Sequence, residues 1–518
     1  MEYVIGVDLG ISAVKIILVN QRGELCGEVS KPFSIIEPHS GYSEQDPAEW
    51  ADKTKEAIKE LVGHFPGKAS QIKGVSFSGQ MHGLVLLNGK GEVLRNAILW
   101  NDTRTTEQCR LINDKIGKER LLEIAKNPAL EGFTLPKLLW VKEYEKELFE
   151  KAAVFLLPKD YVRYTMTGRL HSEYSDAAGT LLLDVRHQTW SGEICRKLGI
   201  PESLCPDLIE PGACVGGLRP EFAAETGLSP EVKVFAGGAD NACGAVGAGI
   251  LKEGTALCSI GTSGVVLTYE SNRDQEFNGN IHFLNHAAPD AFYSMGVTLS
   301  AGRSFSWFKD VFAGQASFDE LISDIGHSRP EAGGLLFTPY LSGERTPHAD
   351  ADIRASFIGM DSAHTRADFV RAVIEGITFS LHESIEQFRA GGKDISRVIS
   401  IGGGAKSNQW LQIQADIFNA DIIRLTSEQG PAYGAAMIAA VGCGWFPSLE
   451  ACADRFVLIK ETFSPRREYS RQYEALFQIY RDVYRHTKTL NERLASFQGI
   501  NKNLWAGRLI SFFRLHTV

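Results

Sequence analysis

Several common features are missing from this chain, and each absence removes a class of function. No run of about 18 apolar residues occurs, so no membrane-spanning helix is expected. The opening MEYVIGVDLG enters a β-branched strand at once, without a basic stretch followed by an apolar one, and no secretory leader is expected. The nine cysteines are scattered, odd in number and form no C-x-x-C pair. That pattern suits reduced thiols, not a disulfide framework or a zinc site. Positive charge is in short supply, with 54 Lys and Arg against 63 Asp and Glu and a net charge of −9. An acidic surface argues against a nucleic-acid face and against docking on anionic lipid. Neither G-x-x-x-x-G-K-[ST] nor G-x-G-x-x-G occurs, so there is no P-loop and no dinucleotide fingerprint.

What is present is a chain of 518 residues, 44% hydrophobic and 23% charged. That balance is ordinary for a soluble globular protein, and with the reduced thiols it predicts a cytoplasmic one. The length exceeds what one core serves, so two large domains are expected. YVIGVD (3–8) and AVKIILVN (13–20) are β-branched runs joined by a Gly-containing turn, the pattern of a strand hairpin. Asp46 before Pro47 predicts a helix start, and Trp50, Ala57, Ile58, Leu61, Val62 and Phe65 follow at helical spacing. IKGVSFSG (72–79) returns to strand. The second half repeats the device: TALCSIGTSGVVLTYE (255–270) is strand, Gly-rich turn, strand. A long helix is predicted over 365–392, and a strand, a Gly turn and a helix follow from Ile395. The repeated hairpins predict two duplicated α/β domains, 1–243 and 244–497, with an atypical tail at 498–518.

Three Gly-rich turns follow strands: DLGIS (8–12), SIGTSG (259–264) and IGGGAKSN (401–408). Backbone amides in such turns form nests for phosphate oxygens. Asp8, at the end of the first strand, reads either as a turn cap or as the anion holding a divalent cation against phosphates. In FAGGADNACGAVGAG (235–249) only Asp240 and Asn241 break a run of small residues. Asp240 reads either as a helix cap or as a carboxylate whose small neighbours let a ligand approach closely.

SEQDP (43–47), SGQMHG (78–83), ILWNDTR (98–104), GFTLPKLLW (132–140), LLPKDY (156–161), YSDAAGT (174–180), GGADNACGA (237–245), SIGTSG, YLSGERTPH (340–348) and GGGAKSNQW (402–410) occur in this order. Together they resemble the FGGY carbohydrate kinases over roughly residues 1 to 497. The resemblance implies two duplicated domains of the actin-like, ribonuclease H-like sugar kinase fold, closing on an interdomain cleft. It implies ATP and Mg²⁺ as cofactors and transfer of phosphate to the 5-hydroxyl of D-xylulose, with ribulose or another polyol as the alternative substrate. The partners are a small ketose and ATP, with no nucleic acid and no membrane; a homodimer is allowed for. An ATP-binding regulator of the actin-like fold, without sugar chemistry, is the alternative from another class.

By the same resemblance Asp240 is the general base and Asn241 binds a neighbouring sugar hydroxyl. Met81 and His82 match the substrate-binding pair, the histidine as a hydrogen-bond donor to the sugar, and QMH favours a ketopentose over glycerol. Asp8 is the catalytic and metal-holding carboxylate, and Gly10, Ser12 and Lys15 share its phosphate loop. Gly261, Thr262 and Ser263 match the second phosphate loop, and Gly302, Gly404 and Asn408 the adenosine pocket. Trp100 and Asp102 face the sugar, brace what does, or are a strand-end aromatic with a turn aspartate. Glu344 and Arg345 resemble a structural ion pair. Two departures stand out. Ile11 replaces the threonine of the family's D-x-G-T-S loop. The tail carries Trp505, Leu509, Ile510, Phe512 and Phe513 with Arg508 and Arg514, and reads as a loosely docked extension or an adhesive surface.

Overall fold

The computed structural model describes the backbone of residues 1–514 and side chains through residue 497. The β-branched runs at the start become strands. Tyr3–Leu9 (β1), Ala13–Asn20 (β2) and Leu25–Pro32 (β3) form an antiparallel meander. Helix Pro47–His64 (α1) begins where the Asp46 carboxylate accepts from the Ala48 amide at 2.9 Å, and it buries Trp50, Ala57, Ile58 and Leu61. Ile72–Gly79 (β4) lies parallel to β1. Cys214–Gly216 (β5), Lys233–Phe235 (β6) and Gly238–Ala239 (β7) complete a seven-stranded sheet of order β5-β6-β4-β1-β2-β3, with β7 also paired to β4. Asp240–Gly247 (α2) follows β7 directly.

The second sheet consists of Thr255–Ile260 (β8), Gly264–Glu270 (β9), His282–Asn285 (β10), Phe292–Thr298 (β11), Arg397–Gly402 (β12), Asp421–Leu425 (β13) and Ile459–Phe463 (β14). Its order is β10-β11-β9-β8-β12-β13-β14. Helices Gly302–Phe312 (α3), Arg366–Ala390 (α4) and Asn408–Phe418 (α5) belong to this half. The path β3-β2-β1-β4 in one sheet matches β11-β9-β8-β12 in the other. In each, a hairpin has an outer strand on one side and a later strand laid beside its first strand on the other. The duplication expected from the two hairpins is therefore present in the topology.

Helix Pro431–Gly442 (α6) is Ala-rich and buried continuously from Ala432 to Ala440. A helix apolar all round belongs inside the protein, and this one packs on β1, β4 and α2. The approach is close. A Cβ on Gly6 would stand 2.0 Å from the Ala432 carbonyl, and one on Gly434 would stand 1.8 Å from the Cys243 carbonyl. The small residues after Asp240 therefore seat α2 against α6. At Cys243 and Gly247 the backbones of the two helices come too close for any larger side chain on Gly434 or Gly247.

The chain forms two compact units. One comprises Met1–Thr255, Leu267–Ser294 and Leu425–Lys460, the other Ala256–Val266, Met295–Arg424 and Glu461–Val518. Helix Arg467–Arg514 (α7) carries the backbone beyond residue 497. The side chains of the tail, and with them the expected apolar and basic surface, lie outside the described residues. Among the described residues no helix is long and apolar enough to cross a membrane, and the nine cysteines are free thiols.

Candidate active site

Strand β4 organises the site of the first unit. Its Ser78 pairs with Asp8 of β1 on one side and with Gly238 of β7 on the other. Neighbouring strands lie about 4.8 Å apart, which sets Asp8 and Gly238 about 10 Å from each other across β4. Asp240 enters α2 two residues later. These strands run parallel, so Asp8 and Asp240 sit at their carboxyl ends, the edge where α/β sheets bind ligands.

Asp240 is the first residue of α2, and Ala239 occupies the cap position. Asp240 Oδ1 accepts from the Asn241 amide at 2.7 Å and from Asn241 Nδ2 at 2.9 Å. The other oxygen has no hydrogen-bond partner among the described residues. The carboxylate thus does not cap its helix. Both Asp8 and Asp240 keep a small window to solvent, yet protein surrounds most of each. Burial pushes Asp240 up to about 7, the Asp8 charge adds to this, and the Asn241 hydrogen bonds oppose it. Burial pushes Asp8 up to about 6 against the pull of Ser78 and Lys15. A carboxyl group titrating near neutrality is suited to proton transfer.

Met81 joins this group directly, since its Sδ lies 3.6 Å from Asn241 Nδ2 and 3.8 Å from the buried Tyr293 hydroxyl. His82 follows with φ at 70°. Its Nδ1 is 2.6 Å from the Gly179 carbonyl. A carbonyl only accepts, so Nδ1 carries the hydrogen. Thr134 Oγ1 and Lys137 Nζ donate to the His82 carbonyl at 3.1 and 2.9 Å, which fixes the backbone in this conformation. Burial brings Lys137 down to about 7.

Trp100 and Asp102 occupy different surroundings. Asp102 is buried, and its carboxylate accepts from the Ser43 amide at 2.6 Å and from Arg104 Nη2 at 2.6 Å. Arg104 also pairs with Glu44 at 2.7 Å and lies over the Tyr42 ring at 3.7 Å. Asp102 therefore ties the 41–45 segment to the 99–104 segment, while Trp100 is exposed. In the first Gly turn, Gly10 donates to the Ala13 carbonyl at 3.0 Å. The Ile11 carbonyl accepts from Gln45 Nε2 at 2.7 Å, the Ile11 side chain is half-buried, and Ser12 is exposed. Lys15 donates to Gln429 at 2.6 Å and pairs with Glu28 at 3.4 Å.

The remaining turn residues lie in the second unit and converge there. Gly302 opens α3, and a Cβ on it would stand 2.4 Å from the Gly261 carbonyl. The amides of Ala301 and Arg303 both donate to the Thr262 carbonyl at 3.1 Å, and that of Gly302 to the Gly261 carbonyl at 2.8 Å. The start of α3 is thus docked on the turn Gly261–Thr262–Ser263. Gly404 backs onto the Ile260 side chain, and Asn408 opens α5 with its side chain exposed. Glu344 is buried and pushed up to about 7 by that burial; it accepts from the amides of Leu299 and Arg345 at 3.0 and 2.7 Å and from the Ser380 hydroxyl at 3.2 Å.

The N-terminal domain of the FGGY family of carbohydrate kinases matches residues 3–247, and the family's C-terminal domain matches residues 256–443. The chain belongs to the FGGY family of carbohydrate kinases. The xylulose kinase of Bacillus subtilis strain 168 is 59% identical over 498 residues, 96% of this chain and 100% of that protein. The xylulose kinase of Escherichia coli strain K12 is 36% identical, over 92% of this chain and 99% of that one. The crystal structure of ligand-bound xylulose kinase from Lactobacillus acidophilus has a TM-score of 0.91 at 26% identity, covering 95% of this chain and 100% of that one.

One feature of this FGGY kinase gave little sign of itself in the sequence. Beneath Asp240 lies a fully buried ionic cluster. Lys159 Nζ is 2.8 Å from Asp160, 3.0 Å from Glu173 and 3.1 Å from Asp176, and Arg163 pairs with Asp160 at 2.8 Å. Burial alone disfavours the Lys159 charge, but the three carboxylates together raise its pKa. Burial holds Asp176 well above the carboxylate range, with Lys159 opposing. The cluster reaches the site through Ser175, which donates to Glu173 at 2.8 Å and accepts from the Ala239 amide at 3.0 Å. The motifs LLPKDY and YSDAAGT contain four of these residues. The available signal was charge flanked on both sides by apolar or small residues.

Proposed function

We infer that this FGGY kinase is a cytoplasmic enzyme that phosphorylates D-xylulose at its 5-hydroxyl with ATP, using Asp240 as the general base. The observation that carries the reading is the Asp240 carboxylate itself. It is pushed up to about 7, it keeps one oxygen unpartnered, and it stands beside Asn241 and Met81 at the carboxyl edge of a parallel sheet. The full-length likeness to xylulose kinases supports a ketopentose as the sugar.

In this mechanism Asn241 and His82 orient the sugar hydroxyls and Asp240 receives the proton of the attacking one. Asn241 holds Oδ1 of Asp240, which leaves the other oxygen to face the substrate. Positioning of this kind provides most of the acceleration in phosphoryl transfer, since the transition state asks for little covalent chemistry from the protein. Asp8 fits a divalent cation. It is a carboxylate whose pKa burial raises, and among the described residues the cation acting on it is Lys15, already engaged by Gln429 and Glu28. No group of three or more ligating side chains stands ready among the described residues, so Asp8 would hold Mg²⁺ jointly with phosphate oxygens and water. When bound, Mg²⁺ neutralises charge on the transferring phosphates. The turns at Gly10–Ser12 and Gly261–Ser263 offer backbone amides to phosphate oxygens, and Gly404 and Asn408 border the place proposed for adenosine.

The test is ADP release with D-xylulose, D-ribulose, L-ribulose, glycerol and gluconate. The expected result is the highest kcat/KM for D-xylulose. A higher value for any other sugar overturns the substrate assignment, and ADP release indifferent to every sugar overturns the kinase reading.

A further inference from the structure

The second unit contains a cavity of about 480 Å³ that shares no residue with the site around Asp240 or with the turn at Gly261–Ser263. Its walls are the C-terminal half of α4, the end of α5 and the first turns of α7. Three guanidinium groups, those of Arg389, Arg467 and Arg471, line it together with His382, Asn419 and Ser470. That local excess of positive charge stands out in a chain of net charge −9.

The arginines differ in how they are held. Arg389 is a fixed charge: its Nη1 donates to Glu386 at 3.0 Å, and its Nη2 donates to the Ile395 and Phe418 carbonyls at 3.0 and 2.7 Å. Arg467 and Arg471 are four residues apart, on one face of α7, and neither makes a hydrogen bond or ion pair among the described residues. The one acid on the wall, Glu474, accepts from Gln478 on its own helix at 2.7 Å.

Two of the lining residues each carry a buried polar atom with no protein partner among the described residues. One is Nδ1 of His382, a residue only 2% exposed and packed between the rings of Phe418 and Phe477. The other is the Ser470 hydroxyl. Burial, helped by the charges of Arg389 and Arg481, brings His382 down to about 3, so the ring is neutral at physiological pH. A neutral imidazole and a hydroxyl can each give or take a hydrogen bond, which suits both phosphate oxygens and sugar hydroxyls. Buried polar groups left unpaired are costly and call for a partner.

We propose that this cavity binds a phosphate monoester carried on a small polyol, a sugar phosphate, with Arg467, Arg471 and Ser470 on the phosphate and His382 and Asn419 on the body. The volume falls within the range of small-molecule sites, about 300–1,000 Å³, and exceeds what inorganic phosphate alone would fill. Helix α5 begins at Asn408 beside the Gly-rich turn and ends at this cavity, roughly 16 Å away at 1.5 Å per residue. The proposal goes beyond the kinase reading and does not depend on it.

The experiment is calorimetric titration of the full chain with ribose 5-phosphate, inorganic phosphate and ribose, repeated on R467Q/R471Q and on Ser470→Ala. The wild type is expected to bind ribose 5-phosphate more tightly than inorganic phosphate and not to bind ribose. The double variant is expected to lose binding at least about tenfold, the worth of one charge-assisted hydrogen bond. Ser470→Ala, which removes only an oxygen, is expected to weaken it in the same direction. Without the ligand, kcat and both KM values should stay within about twofold, which separates loss of this site from misfolding. Binding of inorganic phosphate alone, or unchanged binding of ribose 5-phosphate in both variants, overturns the proposal.

Discussion

Replacing Gly434 with alanine tests how the α2–α6 crossing supports the site. A Cβ at position 434 would sit 1.8 Å from the Cys243 carbonyl oxygen, 2.7 Å from its carbon and 3.0 Å from the Gly247 amide nitrogen. The first distance is more than 1 Å inside the 3.0 Å that side-chain carbons keep from other atoms. All three atoms are backbone, so no side chain can swing away and α2 must move. Overpacking of this kind costs about 3 kcal/mol at the upper end of its range. At 1.4 kcal/mol per decade, that is about two decades in the unfolding equilibrium. Activity should fall as well, because Asp240 lies one turn ahead of Cys243 on the same helix. A displacement of 1 Å in a reacting group can lower the rate about 10²-fold. Urea unfolding and steady-state kinetics on the folded fraction measure the two effects separately. The expected outcome for Gly434→Ala is a lower unfolding midpoint together with a reduced kcat. A midpoint and kcat both equal to wild type would refute the reasoning, and lost stability with full kcat would show that α6 does not set the position of Asp240.

Asp240→Asn removes the base while keeping size, and kcat should fall by about 10²–10⁴ with ATP affinity little changed; near-normal turnover would reject the assignment. The wild-type rate should drop as pH falls through about 7, as Asp240 takes up its proton. The same shift has a stability sign. A carboxyl group whose folded pKa is raised from 3.8 to about 7 binds more protons folded than unfolded, so its contribution falls as pH rises through that window. Asp240→Asn should therefore raise the unfolding midpoint more at pH 8 than at pH 5, and an equal change at both would contradict the titration. His82→Ala should raise KM for the ketose more than KM for ATP; equal rises would assign the residue to folding. Lys159→Met leaves buried Glu173 and Asp176 without their cation, with Arg163 still on Asp160, and should cost about 3–5 kcal/mol, read as loss of soluble protein or of the unfolding midpoint; wild-type stability would show that the cluster neutralises itself by protonation.

Much of the fold was legible because period and punctuation agreed. The hairpin at 3–20, the Asp46–Pro47 helix start and the long helix ending before Gly391 all carry local signals, and each element formed where those signals placed it. The pairing of Asp240 with Asn241 was also local, being a matter of adjacent residues. Long-range contacts were not legible. Nothing in PAYGAAMIAAVG states that its alanines lie against Gly6, nor that Gly247 meets Gly430 and Gly434. The direction of the His82 ring depends on Gly179, nearly a hundred residues away. The sequence left open whether Asp102 faces the sugar, braces what does or closes a turn, because its burial and its pairing with Arg104 appear only in the folded chain. The Lys159 cluster is split between the 159–163 and 173–176 segments, and only folding brings its five charges together.

The place of α6 in the chain has a consequence for how the protein is made. The helix that covers strand β1, at 431–442, is synthesised more than 400 residues after that strand. At about 5–20 residues per second, the interval is roughly 20 to 90 s. Throughout it Gly6 and its apolar neighbours present an uncovered sheet face, with the edges of a nascent strand array beside it. A domain whose lid arrives last cannot complete its folding as it emerges. Until then the exposed apolar face is prone to aggregate, and a message truncated before residue 431 yields a product without the helix that covers it.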